Sequence, residues 1–268
     1  MTNSNQEYKE LLARIEDIID ASDTGSLSKT KFLSPAEAFY AKKILNEKGL
    51  MHRAFFYGGF ADAERERLVI LPSYLDGYDE TSKNLLEEYF PAEAEELITA
   101  VKLSGSGYRE LSHRDYLGSI LGLGVERDAI GDIIVLDSHT AYAFVLDSIA
   151  KLILEGLERI GSDKVKAEKV NLGEDFTYRR EFISISDTVA SARLDCVVAS
   201  LTNLSRDKAQ KLVESGLCQF NYVEEDRCDR AVKSGDIITL RGYGKFIVRD
   251  ISGQTKKGRL RLLADKYA

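Results

Sequence analysis

The chain has 268 residues, room for two or three modest domains, and 44% of them are apolar, enough to bury proper cores. Its 37 basic and 44 acidic residues leave a net charge of -7, which excludes a protein coated with cations over its whole surface. No run of about eighteen apolar residues offers a membrane span. The polar start MTNSNQEYKE has no apolar signal core, so the reading is cytoplasmic, without membrane insertion.

Charge is unevenly spread. Residues 182–268 carry 15 Lys and Arg against 11 Asp and Glu, whereas residues 1–181 carry 22 against 33. Such asymmetry marks a localised partner surface or ordinary scatter between small domains. Cys196, Cys218 and Cys228 form no C-x-x-C pair, and His52, His113 and His139 lie far apart, so neither a metal nor a cofactor is expected.

In chain order, apolar residues Leu11, Leu12, Ile15, Ile18 and Ile19 recur at helical spacing and predict an amphipathic helix over residues 6–20. Ser34-Pro35-Ala36-Glu37 is a capping box with Pro at the first helical position, opening a helix that stops before Gly49. RAFFYGGF and RLVILPSY read as strands, and the alternating charges of Glu64, Arg65, Glu66 and Arg67 between them read as a solvated face. These elements make an N-terminal α/β domain, residues 1–76.

Residues 77–175 read strand (97–103), helix (capped by Ser112, to 121), strand (133–136), strand (140–146), helix (147–160), strand (164–172). This βαββαβ order is ferredoxin-like and is shared by RNA-recognition motifs, so the middle domain is expected to be RRM-like. Its third strand, Tyr142-Ala143-Phe144-Val145, puts Tyr142 and Phe144 on one face. They could stack bases or pack on the N-terminal segment. His113-Arg114-Asp115 has the letters of a kinase triplet, but Ile120 stands where a kinase needs Asn and no glycine-rich loop exists. His113 and Arg114 therefore read as first-turn helix residues and as candidate secondary RNA contacts.

The third domain, residues 182–260, begins with a helix capped by Ser186 or Ser191 and running through Val198, with Arg193 on it. Ser205 is the expected N-cap of the next helix, with Asp207 in its first turn and a stop at Gly216. Ser205, Arg206, Lys208 and Lys211 thus gather around a helix start, where unpaired amide groups already attract phosphate. The loop carrying Arg241, Tyr243 and Lys245 could lie beside Arg193, where Tyr243 could stack on a base or sugar. Ordinary solvated cations are the alternative; concentration at one helix start favours RNA.

At these residues a resemblance can be stated. Arg193-Leu194-Asp195, Leu204-Ser205-Arg206-Asp207-Lys208-Ala209, Gly216-Leu217, Asn221 and Gly235-Asp236 resemble the S4-type (αL) RNA-binding domain, with Tyr222 departing from the Gly that many members carry. Gly58-Gly59-Phe60, Ala63-Glu64-Arg65, His113-Arg114-Asp115-Tyr116-Leu117-Gly118 and Gly131-Asp132-Ile133 resemble the YlmH family over nearly the full chain. The resemblance implies an α+β chain of three domains. It also implies a non-catalytic partner of rRNA and tRNA on the large ribosomal subunit, related to RqcP, acting in ribosome-associated quality control of stalled nascent chains. Arg193 and Arg206 would then occupy the basic positions that such domains use on RNA. Because the family is encoded near cell-division genes, a cell-division interaction module remains an alternative. A pseudouridine synthase is another: Arg193-Leu194-Asp195 has the letters of that enzyme's nucleophile motif, though not its surroundings.

Overall fold

The computed structural model describes residues 2–78, 81–172, 176, 178, 181–255 and 258–267. The chain divides into two compact units, residues 1–178 and 179–268. The protein is α+β, with three sheets among the described residues.

The first unit opens with α1 (Thr2–Asp23), β1 (Ser28–Leu33), α2 (Pro35–Glu47), β2 (Ala54–Tyr57) and β3 (Glu66–Ile70). Leu11, Ile15 and Ile19 of α1 lie four residues apart and pack on Ala41 and Leu45 of α2 and on Leu68 and Ile70 of β3. The capping box is formed: the Glu37 amide donates to Ser34 Oγ (3.3 Å), and the Ser34 amide donates to the Glu37 carboxylate (2.7 Å). The helix ends at a C-cap on Lys48, followed by Gly49 at φ +71°. The three strands form an antiparallel sheet in the order β1-β3-β2. Strand β1 escaped the sequence reading because SKTKFL alternates too many polar residues.

The charged stretch Glu64–Arg67, which runs into β3, is not a solvated face. Arg67 is 6% exposed; its guanidinium donates to the carbonyls of Thr30 and Leu97, and burial pushes its pKa down to about 10. Arg65 is half-buried and donates to the carbonyls of Ile130 (3.0 Å) and Phe32 (3.3 Å). Alternating charge misleads here because carbonyls left without a ladder partner, such as that of Thr30 where the β1 register shifts, need donors, and arginine supplies several from one side chain.

Next come α3 (Ser82–Tyr89), α4 (Pro91–Glu95), β4 (Thr99–Gly105), α5 (His113–Leu121), β5 (Ile130–Asp137), β6 (Thr140–Val145), α6 (Asp147–Gly156), β7 (Arg159–Ile160) and β8 (Asp163–Val170). A five-stranded sheet runs β5-β6-β4-β8-β7, antiparallel throughout. Helix α6 stops at Gly156, not at residue 160, and Arg159–Ile160 turns back as a strand on β8. The apolar spacing misled because Leu157 and Ile160 enter the same core as Ile153, now from a loop and a strand. One core joins Val69, Leu71 and Leu75 to Leu85, Leu86 and Leu97, so apolar packing crosses the expected boundary at residue 76. The expected boundary at residue 175 lies outside the described residues.

The second unit contains β9 (Phe182–Val189), α7 (Leu194–Thr202), α8 (Arg206–Glu214), β10 (Cys218–Phe220), β11 (Val223–Glu224), β12 (Ile237–Leu240), β13 (Gly244–Gln254) and β14 (Leu260–Tyr267). The six strands form one sheet, β11-β10-β12-β13-β14-β9. Ser186 caps no helix; it pairs with Leu263 across the β9–β14 ladder, and α7 begins only after Arg193. Val197, Val198, Ala209 and Val213 of the two helices cover Ile238, Phe246, Val248, Leu262 and Ala264 of the sheet. Residues 221 and 222 turn β10 into β11 with both φ positive, +48° and +68°.

Candidate nucleic-acid interface

Two cations of the second unit, Arg193 and Arg206, are held by one carboxylate. Asp195, in the first turn of α7, is 0% exposed. The chain around it is fixed by backbone bonds: the Leu194 amide donates to Arg230 O (2.8 Å), the Asp195 amide to Cys228 O (3.1 Å) and the Val232 amide to Ala192 O (2.8 Å). Arg193 Nε donates to Asp195 Oδ1 (3.1 Å). Arg206 donates through two nitrogens to Oδ2 (3.0 and 2.9 Å), and Gln210 Nε2 reaches the same oxygen at 3.3 Å. Burial alone would raise the Asp195 pKa; the hydrogen bonds and charge of Arg193 and Arg206 outweigh it and hold the pKa below the ordinary 3.8.

Both guanidiniums still face outward: the Arg193 side chain is 41% exposed and that of Arg206 54%. Lys208 and Lys211, three residues apart on α8, are exposed nearby on the same helix. Ser205 sits at the N-cap position as expected, but its hydroxyl makes no capping bond. Two other arginines of the unit differ: Arg227 pairs with Asp229 (3.5 Å) and Arg230 with Glu225 (3.7 Å), both within their own loop.

The Arg241–Lys245 loop does not lie beside Arg193. The Arg241 amide donates to Leu217 O (3.0 Å), which places the β12–β13 turn at the C-terminal end of α8. Arg206 is the first of the nine residues of α8, so the helix carries that end away from it by roughly 12 Å of rise. Tyr243 is half-buried against the core, and Lys245 lies over the rings of Tyr267 (4.4 Å) and Tyr222 (5.3 Å).

In the first unit, Phe144 is 1% exposed and packs on Phe60 (centroids 4.8 Å apart) and Phe176. Tyr142 is half-buried and meets Phe176 edge-on at 5.6 Å. Gly59, at φ +96°, lies so close to Phe144 that an added Cβ would stand 2.4 Å from its ring. The aromatic face of this sheet is therefore filled by its own chain, and Phe144 is not offered to a base. His113 and Arg114 are exposed at the start of α5; partial burial and the charge of Arg127 hold the His113 pKa below 6.5.

Sequence reasoning missed Gln210 as a third ligand of Asp195, and missed Arg259, whose guanidinium donates to both oxygens of Thr188. The spacing of Asp195, Arg206 and Gln210 signals a shared helix pair, but only the packing of α7 on α8 shows that they converge.

Exposed guanidiniums fixed on a buried carboxylate can meet an anionic partner. Comparison with known proteins narrows this. Residues 93–174 match a family model described as "Putative RNA-binding domain in YlmH". The chain is 30% identical over 239 residues to the ribosome-associated protein quality control protein P2 of Bacillus subtilis (strain 168), covering 88% of this chain and 86% of that protein. A solved structure, cell division protein ylmH from Streptococcus pneumoniae, matches the fold with a TM-score of 0.50 at 22% identity, over 64% of this chain and 95% of that one. The chain belongs to the YlmH family. The matched RNA-binding segment ends before Arg193, so the family model and the cation cluster fall in different units.

Proposed function

We propose that this protein binds RNA at the ribosome: rRNA and tRNA on the large subunit, in quality control of stalled nascent chains. The observation that carries this reading is the Asp195 clamp, which holds Arg193 at the start of α7 and Arg206 at the start of α8, both facing outward. Guanidiniums in fixed orientation can grip phosphate oxygens bidentately, as mobile lysines cannot. The quality-control name of the Bacillus subtilis relative and the RNA-binding description of the family model support the same partner class. The segment around Arg193 is read as an S4-type domain, and the sheet of residues 99–170 as an RRM-like scaffold whose aromatic face serves packing.

Binding, not catalysis, is the proposed activity. A pseudouridine synthase would present the Asp of Arg193-Leu194-Asp195 to a base, whereas Asp195 is 0% exposed and occupied by three side chains. Tritium release from labelled uridine in RNA should stay at background; turnover would overturn this part. The binding reading is tested by sedimentation of ribosomal particles in sucrose gradients. The protein should travel with the large subunit at low salt and leave it as salt rises. A protein that stays at the top of a low-salt gradient would reject the ribosomal partner.

A further inference from the structure

We propose that the groove between β9 and α7 receives a single unstacked nucleotide of the bound RNA; this rests on the RNA-binding reading above. The groove is open to solvent and offers about 380 Å³, near the small end of sites that hold small molecules, roughly 300–1,000 Å³. A nucleotide fits such a space and a duplex does not.

Its chemistry is divided as a nucleotide's is. Ala199 and Leu204, partly exposed above the buried Val189, make a small apolar wall against which a base can lose its water. Two guanidiniums stand on the same groove, and each is anchored separately. Arg206 is held by Asp195. Arg259 is held by Thr188, Nε donating to the hydroxyl (3.0 Å) and a terminal nitrogen to the carbonyl. Those anchors are neutral oxygens, so the charge of Arg259 is only partly offset. Asp187, the carboxylate within the groove, is already engaged: it accepts from Ser200 Oγ at 2.5 Å and from the Thr188 amide at 2.7 Å. The Arg259 charge adds to these bonds, and the Asp187 pKa lies below 3.8.

At the rim stands Asn203, in the left-handed conformation (φ +56°) that ends α7. Its amide is exposed and offers both a donor and an acceptor, the pair a base edge requires. An apolar wall, a two-way amide and fixed cations along one groove match a base with its flanking phosphates. A base held in a duplex cannot reach the wall, so the site selects a bulged, looped or end nucleotide, as sequence-reading RNA sites commonly do.

The test uses the full-length protein and fluorescence anisotropy at low salt, with three RNA hairpins alike except at one position. One carries a single bulged uridine, one an abasic residue in its place, and one is fully paired. The bulged hairpin should bind about tenfold tighter than the other two. Arg259→Ala should erase that preference, and Arg206→Ala should weaken all three. Equal binding of bulged and abasic hairpins, with Arg206→Ala still weakening both, would overturn the groove and leave RNA binding standing. Absence of binding to every hairpin would overturn the RNA reading itself. Displacement of the bulged hairpin by free uridine monophosphate at similar concentration would assign the groove to a free nucleotide and also reject the proposal. The abasic comparison uses unaltered protein, so it does not depend on any variant folding.

Discussion

Asp195 turns two flexible arginines into parts of the fold, and its substitutions separate structure from binding. Asp195→Ala leaves two cations facing an emptied buried site and should cost about 1–3 kcal/mol, read as a lower urea midpoint. The pH dependence has a defined sign. The Asp195 pKa is depressed in the folded protein, so its contribution is complete above the ordinary 3.8 and is lost as pH falls further. Asp195→Asn should lower stability at neutral pH and flatten its decline below that value, measured by urea melts across pH. Arg206→Lys keeps a charge but loses the two-nitrogen contact with Oδ2, so it should weaken RNA binding nearly as much as Arg206→Ala. Much of this site is legible in sequence: Ser205-Arg206-Asp207 marks a helix start and places Arg206 upon it. The clamp is less legible, because Asp195 and Gln210 meet through the packing of two helices that no single period describes.

At the level of elements, local pattern succeeds where the backbone carries its own signal and fails where distant partners decide. The capping box at Ser34 and the helix start at Ser112 contain their own partners within three residues. Strand β9 does not: FISISDTV offers Ser186 as a plausible cap, yet pairing with β14, over seventy residues later, makes it a strand. The face of Tyr142 and Phe144 was legible as a face, but not what covers it. Gly59→Ala should destabilise the first unit, since the new Cβ meets the Phe144 ring and the backbone needs positive φ. Phe144→Ala should cost about 3–5 kcal/mol by leaving a cavity beside Phe60. Thermal melts check both. If Phe144 stacked on RNA, its loss would lower affinity in protein that is still folded; unchanged affinity is expected. Residues 221 and 222 form a turn that favours Asn-Gly, and Tyr222 fills the second place. Tyr222→Gly should relieve about 1 kcal/mol of backbone strain, less the lost contact of the ring with Lys245, and so raise Tm slightly.

Over the whole molecule, charge divides with the chain. The acidic excess lies in residues 1–181 and the basic excess in residues 182–268, close to the division into two units. Binding should therefore depend on salt as a small set of phosphate contacts does, not as a coat of cations does. A plot of log affinity against log salt should be linear, and Arg206→Ala should reduce its slope by about 1. An unchanged slope would mean that Arg206 meets no phosphate. Among the described residues no helix is long and apolar enough to cross a membrane.

The buried carboxylate has a further consequence, in time as well as in space. An arginine free in water samples many rotamers and must surrender them when it grips a ligand. Arg206 and Arg193 have surrendered them already, during folding, to Asp195. The entropy of ordering these cations is thus charged to the stability of the domain and not to its complexes, which leaves each encounter with a polyanion less to lose.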